Sequence, residues 1–486
     1  MNKIKSALNK YIGLPVEVKA SIWYTISSIL QRGIAFLTLP IFTRLLTTDQ
    51  YGQYTIYNSW LGIVMIFTTL NLQYGSFNTA MSKFDKDRDT YISSIQGLCL
   101  VLSFFVFLIY LINPSFWSNI LEIPMLLFVV MLLEILGHAF VAFWSSKERF
   151  SFHYRSMIFV TLTITILSSV LGVIAVLSLD DKGSARIVSN ALIYIIFGVL
   201  FFFLNLKRGK KIFSKKYWKY ALTFNIPLIP YYLSEVIFNQ SDRIMISQMS
   251  GRDKAGIYGF AFQFSILLSF VMTAINNSYV PWMYNRIKEK NYAPLKKVSN
   301  MLIMFVATLL ILLIFFGPEA IALLGGANYV EAIWIVPPVA GSMLFLFLSQ
   351  MSINVMFYYE KKSYMVKSSI TAAIVNVVFN YIGIKIFGYL AAGYVTLFSY
   401  ILYAIMNIYY MEKVCAQNIE NYQTGSIYDL KSIIIISTLF LIGNVVILFL
   451  YTDNMLRYGF MVIMFILLYI FRSKIVEVIR VIRNMK

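Results

Sequence analysis

Residues 49–54 read DQYGQY and residues 253–258 read DKAGIY. Asp49, Gly52 and Tyr54 match Asp253, Gly256 and Tyr258 at one constant offset of 204 residues. Each copy follows a long apolar run that contains proline, Pro40 in the first case and Pro227 with Pro230 in the second, and each precedes another apolar run. A glycine at such a place can take positive φ at a helix end, and tyrosine suits the interfacial layer of a bilayer. Six apolar runs separate the copies, so the first and seventh runs cross in the same direction, as a parallel duplication requires.

Outward from these copies the whole chain is apolar. Of 486 residues 59% are hydrophobic and 13% charged, against roughly 25% charged in soluble domains, and the mean hydropathy is +0.72. Fourteen runs of about 17–27 residues reach from 20–45 and 54–80 to 432–451 and 456–472, lengths that suit helices rather than the roughly ten-residue alternation of a barrel strand. The expected fold is an all-α integral membrane protein of about 14 transmembrane helices, two parallel six-helix lobes plus two C-terminal helices. The expected division is an N-terminal lobe over 1–206, a basic cytoplasmic linker over 207–219, a second lobe over 220–411, and 412–486 holding a cytoplasmic loop, helices 13 and 14 and a basic tail. The first run starts late, is too long for a signal-peptide core and lacks a small-x-small site, so it is expected to stay in the mature protein.

The net charge of +19 is placed as membrane topology rather than as a nucleic-acid surface. The N-terminus and alternate loops carry 32 Lys and Arg, the opposite loops 7, and the densest block is KRGKKIFSKKYWK over 207–219. This bias puts the basic loops and both termini in the cytoplasm, where they can meet anionic headgroups. Two cysteines and two histidines give no disulfide framework, no HExxH and no metal cluster, and no cofactor motif is present. No polar stretch exceeds about twenty residues, so there is no room for a soluble catalytic domain and the activity must lie among the helices.

Ionisable groups inside the membrane are functional candidates because hydrocarbon makes them costly. They are Arg32, Glu134, His138, Glu235, Asp242 and Arg243. In the first run Thr25, Ser28, Arg32 and Ala35 form one polar or small stripe, and in the seventh Glu235, Asn239 and Asp242 form another. Glu134 and His138, four apart, can share a proton, whereas Asp242 and Arg243 are expected near the outer interface, tied to one another or to headgroups. Arg32 offers a planar fork that binds phosphate oxygens in pairs and stays charged at any depth. Arg32, Arg243, Gln31 and Asn239 are therefore the expected substrate contacts, with Glu235, Asp242, Glu134 and His138 for ion coupling or gating. At the repeat offset Arg32 falls one residue from the counterpart of Glu235, which suggests that the two charges meet and that an arriving phosphate displaces the carboxylate. Asn276, Gln350, Asn354, Asn376 and Asn380 read mostly as interhelical ties.

LPIFTRLLTTDQYGQY after the first run, and NIPLIPYYLSEVIFNQSDRIMISQMSGRDKAGIYGFAFQF across the seventh, resemble the polysaccharide transporter family, the flippases of lipid-linked O-antigen and capsule repeat units. Most similar is Asp242-Arg243 followed by Gly256-Ile257-Tyr258. That family shares a superfamily with the multidrug and toxin extrusion antiporters and the lipid II flippase. The resemblance implies two six-helix lobes around a central cavity, alternating access, and a multi-pass protein of the bacterial cytoplasmic membrane. It also implies a polyprenyl-diphosphate-linked oligosaccharide as substrate, membrane lipids as surroundings and polysaccharide polymerase and assembly proteins as partners, with no bond made or broken. A cation-coupled drug exporter is the alternative, which would favour Glu134 and Glu235 over Arg32. A membrane glycan polymerase or acyltransferase is a third reading, for which no long outer loop or clustered His, Asp and Arg set is visible.

Overall fold

The computed structural model describes residues 13, 15–73, 75–470 and 472; the basic tail expected at the C-terminus lies outside them. Among these residues every regular element is an α-helix or a short 3-10 segment. The chain divides into two compact units, Met1–Val236 and Ile237–Lys486.

The first unit holds α1 (Val16–Leu45), α2 (Thr48–Thr69), α3 (Phe77–Lys83), α4 (Arg88–Ile112), α5 (Pro114–Leu121), α6 (Met125–Phe150), α7 (Tyr154–Ser178), α8 (Lys182–Gly209), α9 (Lys215–Asn225) and the start of α10 (Ile229–Ser250). The first repeat copy lies inside α2 rather than before it. Thr47 accepts from the Gln50 backbone N–H while the Gln50 side chain accepts from Thr47 N–H, a reciprocal cap that starts the helix six residues ahead of the apolar run. Gly52 is accordingly a buried helical residue and not a positive-φ terminus. Nor does the expected 54–80 span run through: Leu70 and Asn71 take φ of 49° and 52°, which ends α2 at Thr69 and leaves α3 as a separate short helix. Gly75 follows that turn because a Cβ there would stand 2.0 Å from Asn225 Oδ1.

Helix α6 packs on α8, α7 on α8, and α1 on α7, while α4 contacts α6 and α8. Close approach of α6 and α8 depends on glycine, since a Cβ on Gly198 would lie 2.4 Å from Gly137 Cα and one on Gly137 2.3 Å from the Tyr194 carbonyl. The basic 207–219 segment is the end of α8, a turn with Lys210 at φ 60°, and the first half of α9. Tyr217, Ala221 and Asn225 form the buried face of α9 at a spacing of four.

The second unit holds the rest of α10, then α11 (Arg252–Ser265), α12 (Ser269–Lys288), α13 (Ala293–Phe315), α14 (Gly317–Leu324), a 3-10 segment (Ala327–Trp334), α15 (Val336–Tyr358), α16 (Lys362–Phe387), α17 (Ala391–Asn418), α18 (Leu430–Leu450) and α19 (Asn454–Ile470). Here too the repeat copy opens a helix: Gly251, at φ 100°, turns the chain, and Gly256 is buried inside α11. Helix α15 is buried on all sides and packs against α11, α13, α17 and α18. The C-terminal helices are fastened to this unit: the Asn444 amide donates to the Pro337 carbonyl at 2.9 Å, and Arg457 pairs with Glu319.

Among the described residues twelve helical stretches are long and apolar enough to cross a bilayer. They correspond to twelve of the fourteen expected runs, and α2 and α19 answer to the other two without being among the twelve.

Candidate functional site

Each unit holds a carboxylate deeply buried under a set of hydrogen-bond donors, Glu134 in the first and Asp242 in the second. In the first, the glycine contact of α6 with α8 sets Glu134 opposite Asn190. Tyr57 of α2 donates its hydroxyl to Glu134 Oε2 at 2.7 Å, and the Asn190 amide donates to Oε1 at 2.7 Å. His138 Nε2 stands 3.6 Å from Oε1, with its ring stacked on Tyr194 at 3.6 Å between centroids. Glu134 is 1% exposed and His138 30%, so the imidazole connects the enclosed carboxylate with the surroundings. Tyr57 and Asn190 thus satisfy one oxygen each of the enclosed carboxylate.

In the second unit Asp242 of α10 is enclosed by three other helices. Tyr258 of α11 and Thr396 of α17 donate to Oδ2 at 2.7 and 2.6 Å, and Asn380 of α16 donates to Oδ1 at 2.6 Å. Asp242 is 2% exposed with the Arg243 charge beside it, and Arg243 lies over the Phe262 ring at 4.1 Å and bonds Gln240. Hydrocarbon forces this arrangement, because a carboxylate leaves water only where donors replace it. It also explains the spacing of Asp242 and Tyr258, which the hairpin at Gly251 brings back to one another. Asn380 bonds Asn376, which accepts from Ser241, and Asn239 accepts from Tyr400 at 2.9 Å. The oxygens of Asp242, Asn376, Asn380 and Thr396 are of the hard type that alkali or alkaline-earth cations take. No group of three His, Cys, Asp or Glu suited to a metal occurs among the described residues.

The remaining expected contacts lie on α1 and α10. Gln31 turns toward α7, donating to Ser27 at 2.9 Å and Thr161 at 3.4 Å. Arg32 shares an accessible stripe with Thr25, Ser28 and Ala35. Glu235 is likewise accessible on α10, and both charges belong to the first unit. Asn276 donates to Gln350 at 3.0 Å and accepts from Asn354 at 3.1 Å, tying α12 to α15.

Arg186 is the functional-type residue that sequence reasoning missed. Counted with the loop cations, it stands in the second turn of α8, whose N-cap is Asp181. It is 9% exposed and stacks on Phe42 at 4.1 Å and Tyr54 at 5.0 Å, with Nη1 lacking a hydrogen-bond partner. Gly172 makes the room, since a Cβ there would lie 2.7 Å from that nitrogen. The Asp181 cap three residues before Ser184 was the signal that helix begins early enough to bury it.

Residues 18–286 match the model of a family described as polysaccharide biosynthesis protein. A Haemophilus influenzae protein of the Lsg locus is 24% identical over 378 residues, 74% of this chain and 89% of that protein. The Methanocaldococcus jannaschii membrane protein MJ1068 is 21% identical over 438 residues, 83% of this chain and 85% of that protein. Among solved structures, the lipid II flippase MurJ in an inward closed conformation superposes with a TM-score of 0.72 at 15% identity, over 93% of this chain and 98% of that one. An inward-facing multidrug resistance MATE transporter superposes at 0.55 and 13% identity, over 80% and 96%.

Proposed function

The chain belongs to the polysaccharide biosynthesis protein family, and from that premise we propose that it is a flippase which moves polyprenyl-diphosphate-linked oligosaccharide units across the bacterial cytoplasmic membrane by alternating access. The family match over residues 18–286 carries this reading, supported by a fold shared with a lipid II flippase. Polysaccharide polymerase and assembly proteins would take the delivered units.

Within this reading Arg32 and Gln31 of the first unit receive the diphosphate, and Asn239 and Arg243 are candidate contacts on the second unit. A guanidinium can hold two phosphate oxygens at once and cannot lose its charge at any membrane depth. Glu235 is its partner in the empty protein, and the substrate takes the arginine from it. Glu134 with His138, and Asp242 with its donors, serve coupling: each carboxylate can exchange a proton or cation for its present hydrogen bonds, which changes how the surrounding helices are tied.

The test is export of lipid-linked oligosaccharide in cells carrying variants. Deletion should stop delivery to the outer leaflet, Arg32→Ala should stop it with membrane abundance retained, and Arg32→Lys should restore only part. Arg32→Glu with Glu235→Arg should restore abundance better than either single reversal. Unchanged delivery in the deletion strain refutes the reading, and drug sensitisation without glycan loss turns it into a drug exporter.

A further inference from the structure

On the first unit, between the end of α3 and α9, a cavity of about 470 Å³ is lined by Lys83, Phe84, Lys216, Lys219, Tyr220 and Thr223. Its size falls in the roughly 300–1,000 Å³ range of small-molecule sites. Three ammonium groups in one concavity repel each other, and aromatic faces hold two of them there. Lys83 Nζ lies 4.9 Å from the Tyr220 centroid, and Lys216 Nζ lies 5.1 Å from Phe84 and 5.3 Å from Tyr217. The rings are themselves fixed, since Phe84 packs edge-on to Tyr217 at 5.0 Å and to Tyr220 at 5.2 Å over the buried Tyr91. Trp218 anchors α9 by donating to the Ser94 carbonyl at 2.8 Å.

The nearby carboxylates are directed elsewhere. Asp85 accepts from the Lys86 backbone at 2.9 Å, and Asp87 sits beside the Tyr217 hydroxyl. Phe224, itself partly exposed, lines the same cavity, and the chain entering and leaving α9 also exposes Ile212, Phe213 and Ile226. Such a site fits a ligand with a doubly charged head and a hydrocarbon tail. A diphosphate diester carries two negative charges where a phospholipid phosphodiester carries one, and lysines offer rotatable donors to oxygens in several directions.

We propose that this cavity is a loading site for a lipid-borne diphosphate, occupied before the substrate reaches the membrane-embedded residues. The assignment deepens the transport reading and rests on it. Lys83 and the 207–219 block belong to the heavily basic loops, so the site would lie on the side where the lipid-linked sugar is made.

The experiment uses the full chain in phosphatidylcholine nanodiscs titrated with a farnesyl-diphosphate-linked hexose, a diphosphate diester. The triple variant Lys83→Gln, Lys216→Gln, Lys219→Gln should bind about a hundredfold more weakly, near a factor of five for each lysine. Thr223→Trp, which fills the cavity without changing charge, should weaken binding at least about tenfold, and this arm stands even if the triple variant fails to fold. Phosphatidylglycerol at tenfold excess should not displace the diphosphate. Wild-type affinity in either folded variant, or displacement by phosphatidylglycerol, overturns the site. Export in a deletion strain separates the two ideas. Lost export with unaltered variant binding refutes the pocket alone, whereas intact export refutes the transport reading and this assignment with it.

Discussion

Glu134 and His138 stand four apart, and that spacing alone puts both on one side of α6. Sequence could not supply Tyr57 and Asn190, which arrive from helices 77 and 56 residues distant and whose approach depends on Gly137 meeting Gly198. For the same reason neither the burial of Arg186 nor the donors around Asp242 could be read from the sequence: both follow from packing between helices, not from periodicity within one. The geometry at Glu134 separates structural from functional loss. Glu134→Ala leaves a buried hydroxyl and a buried amide without their acceptor, at about 1–3 kcal/mol each, and should lower the melting temperature and membrane abundance. Glu134→Gln keeps the shape and one acceptor, so it should remain abundant in the membrane while losing transport driven by an imposed pH gradient. Pumping by Glu134→Gln at the wild-type rate under that gradient would remove the carboxylate from coupling.

Elements were legible where a cap or a long apolar run marks them, and less so where the chain turns inside a run. The break at Leu70 and Asn71 joins two apolar stretches without proline or glycine at the turn itself, and nothing local distinguishes it from continued helix. The 3-10 segment over Ala327–Trp334 is a similar case, held by contacts rather than propensity. Its Glu331 accepts from Lys254 Nζ at 2.8 Å and from the Tyr389 hydroxyl, so three segments meet at one carboxylate. These donors hold the Glu331 carboxyl below the usual glutamate range. A depressed folded value contributes stability above the unfolded pKa of about 4.3, and the contribution fades as pH falls through the lower folded value. The side chain is 52% exposed, so the tie is worth under about 1 kcal/mol. Glu331→Gln should therefore melt slightly lower than wild type at pH 7 in low salt, and the difference should close below about pH 4. A difference that persists or widens in acid would assign the segment's stability to packing alone.

At the scale of the molecule, a helical membrane protein was readable from run lengths set by bilayer thickness, while a repeated D-x-x-G-x-Y at one offset and charge asymmetry between alternate loops led to the expectations of duplication and orientation. Gly52 and Gly256 are buried helix residues and not the positive-φ loop glycines that a chance likeness between two turns would supply, and both copies open the helix after a proline-bearing span. Charge asymmetry makes the remaining prediction. With 32 cationic residues on one set of segments and 7 on the other, moving the basic loops across the membrane would oppose the bias that fixes orientation during insertion. The 207–219 block weighs most, with seven Lys and Arg between the end of α8 and the middle of α9. A reporter fused after Lys216 should be active only as a cytoplasmic enzyme, and one fused at Asp181, on the far side of α8, only as an exported one. Replacing the lysines and arginines of 207–219 with glutamine should weaken that preference and yield molecules of mixed orientation. Reporters with the opposite activities at both sites would invert the topology. The lysine cavity would then face away from the compartment in which lipid-linked sugars are assembled, and its role as a loading site would fall with the orientation.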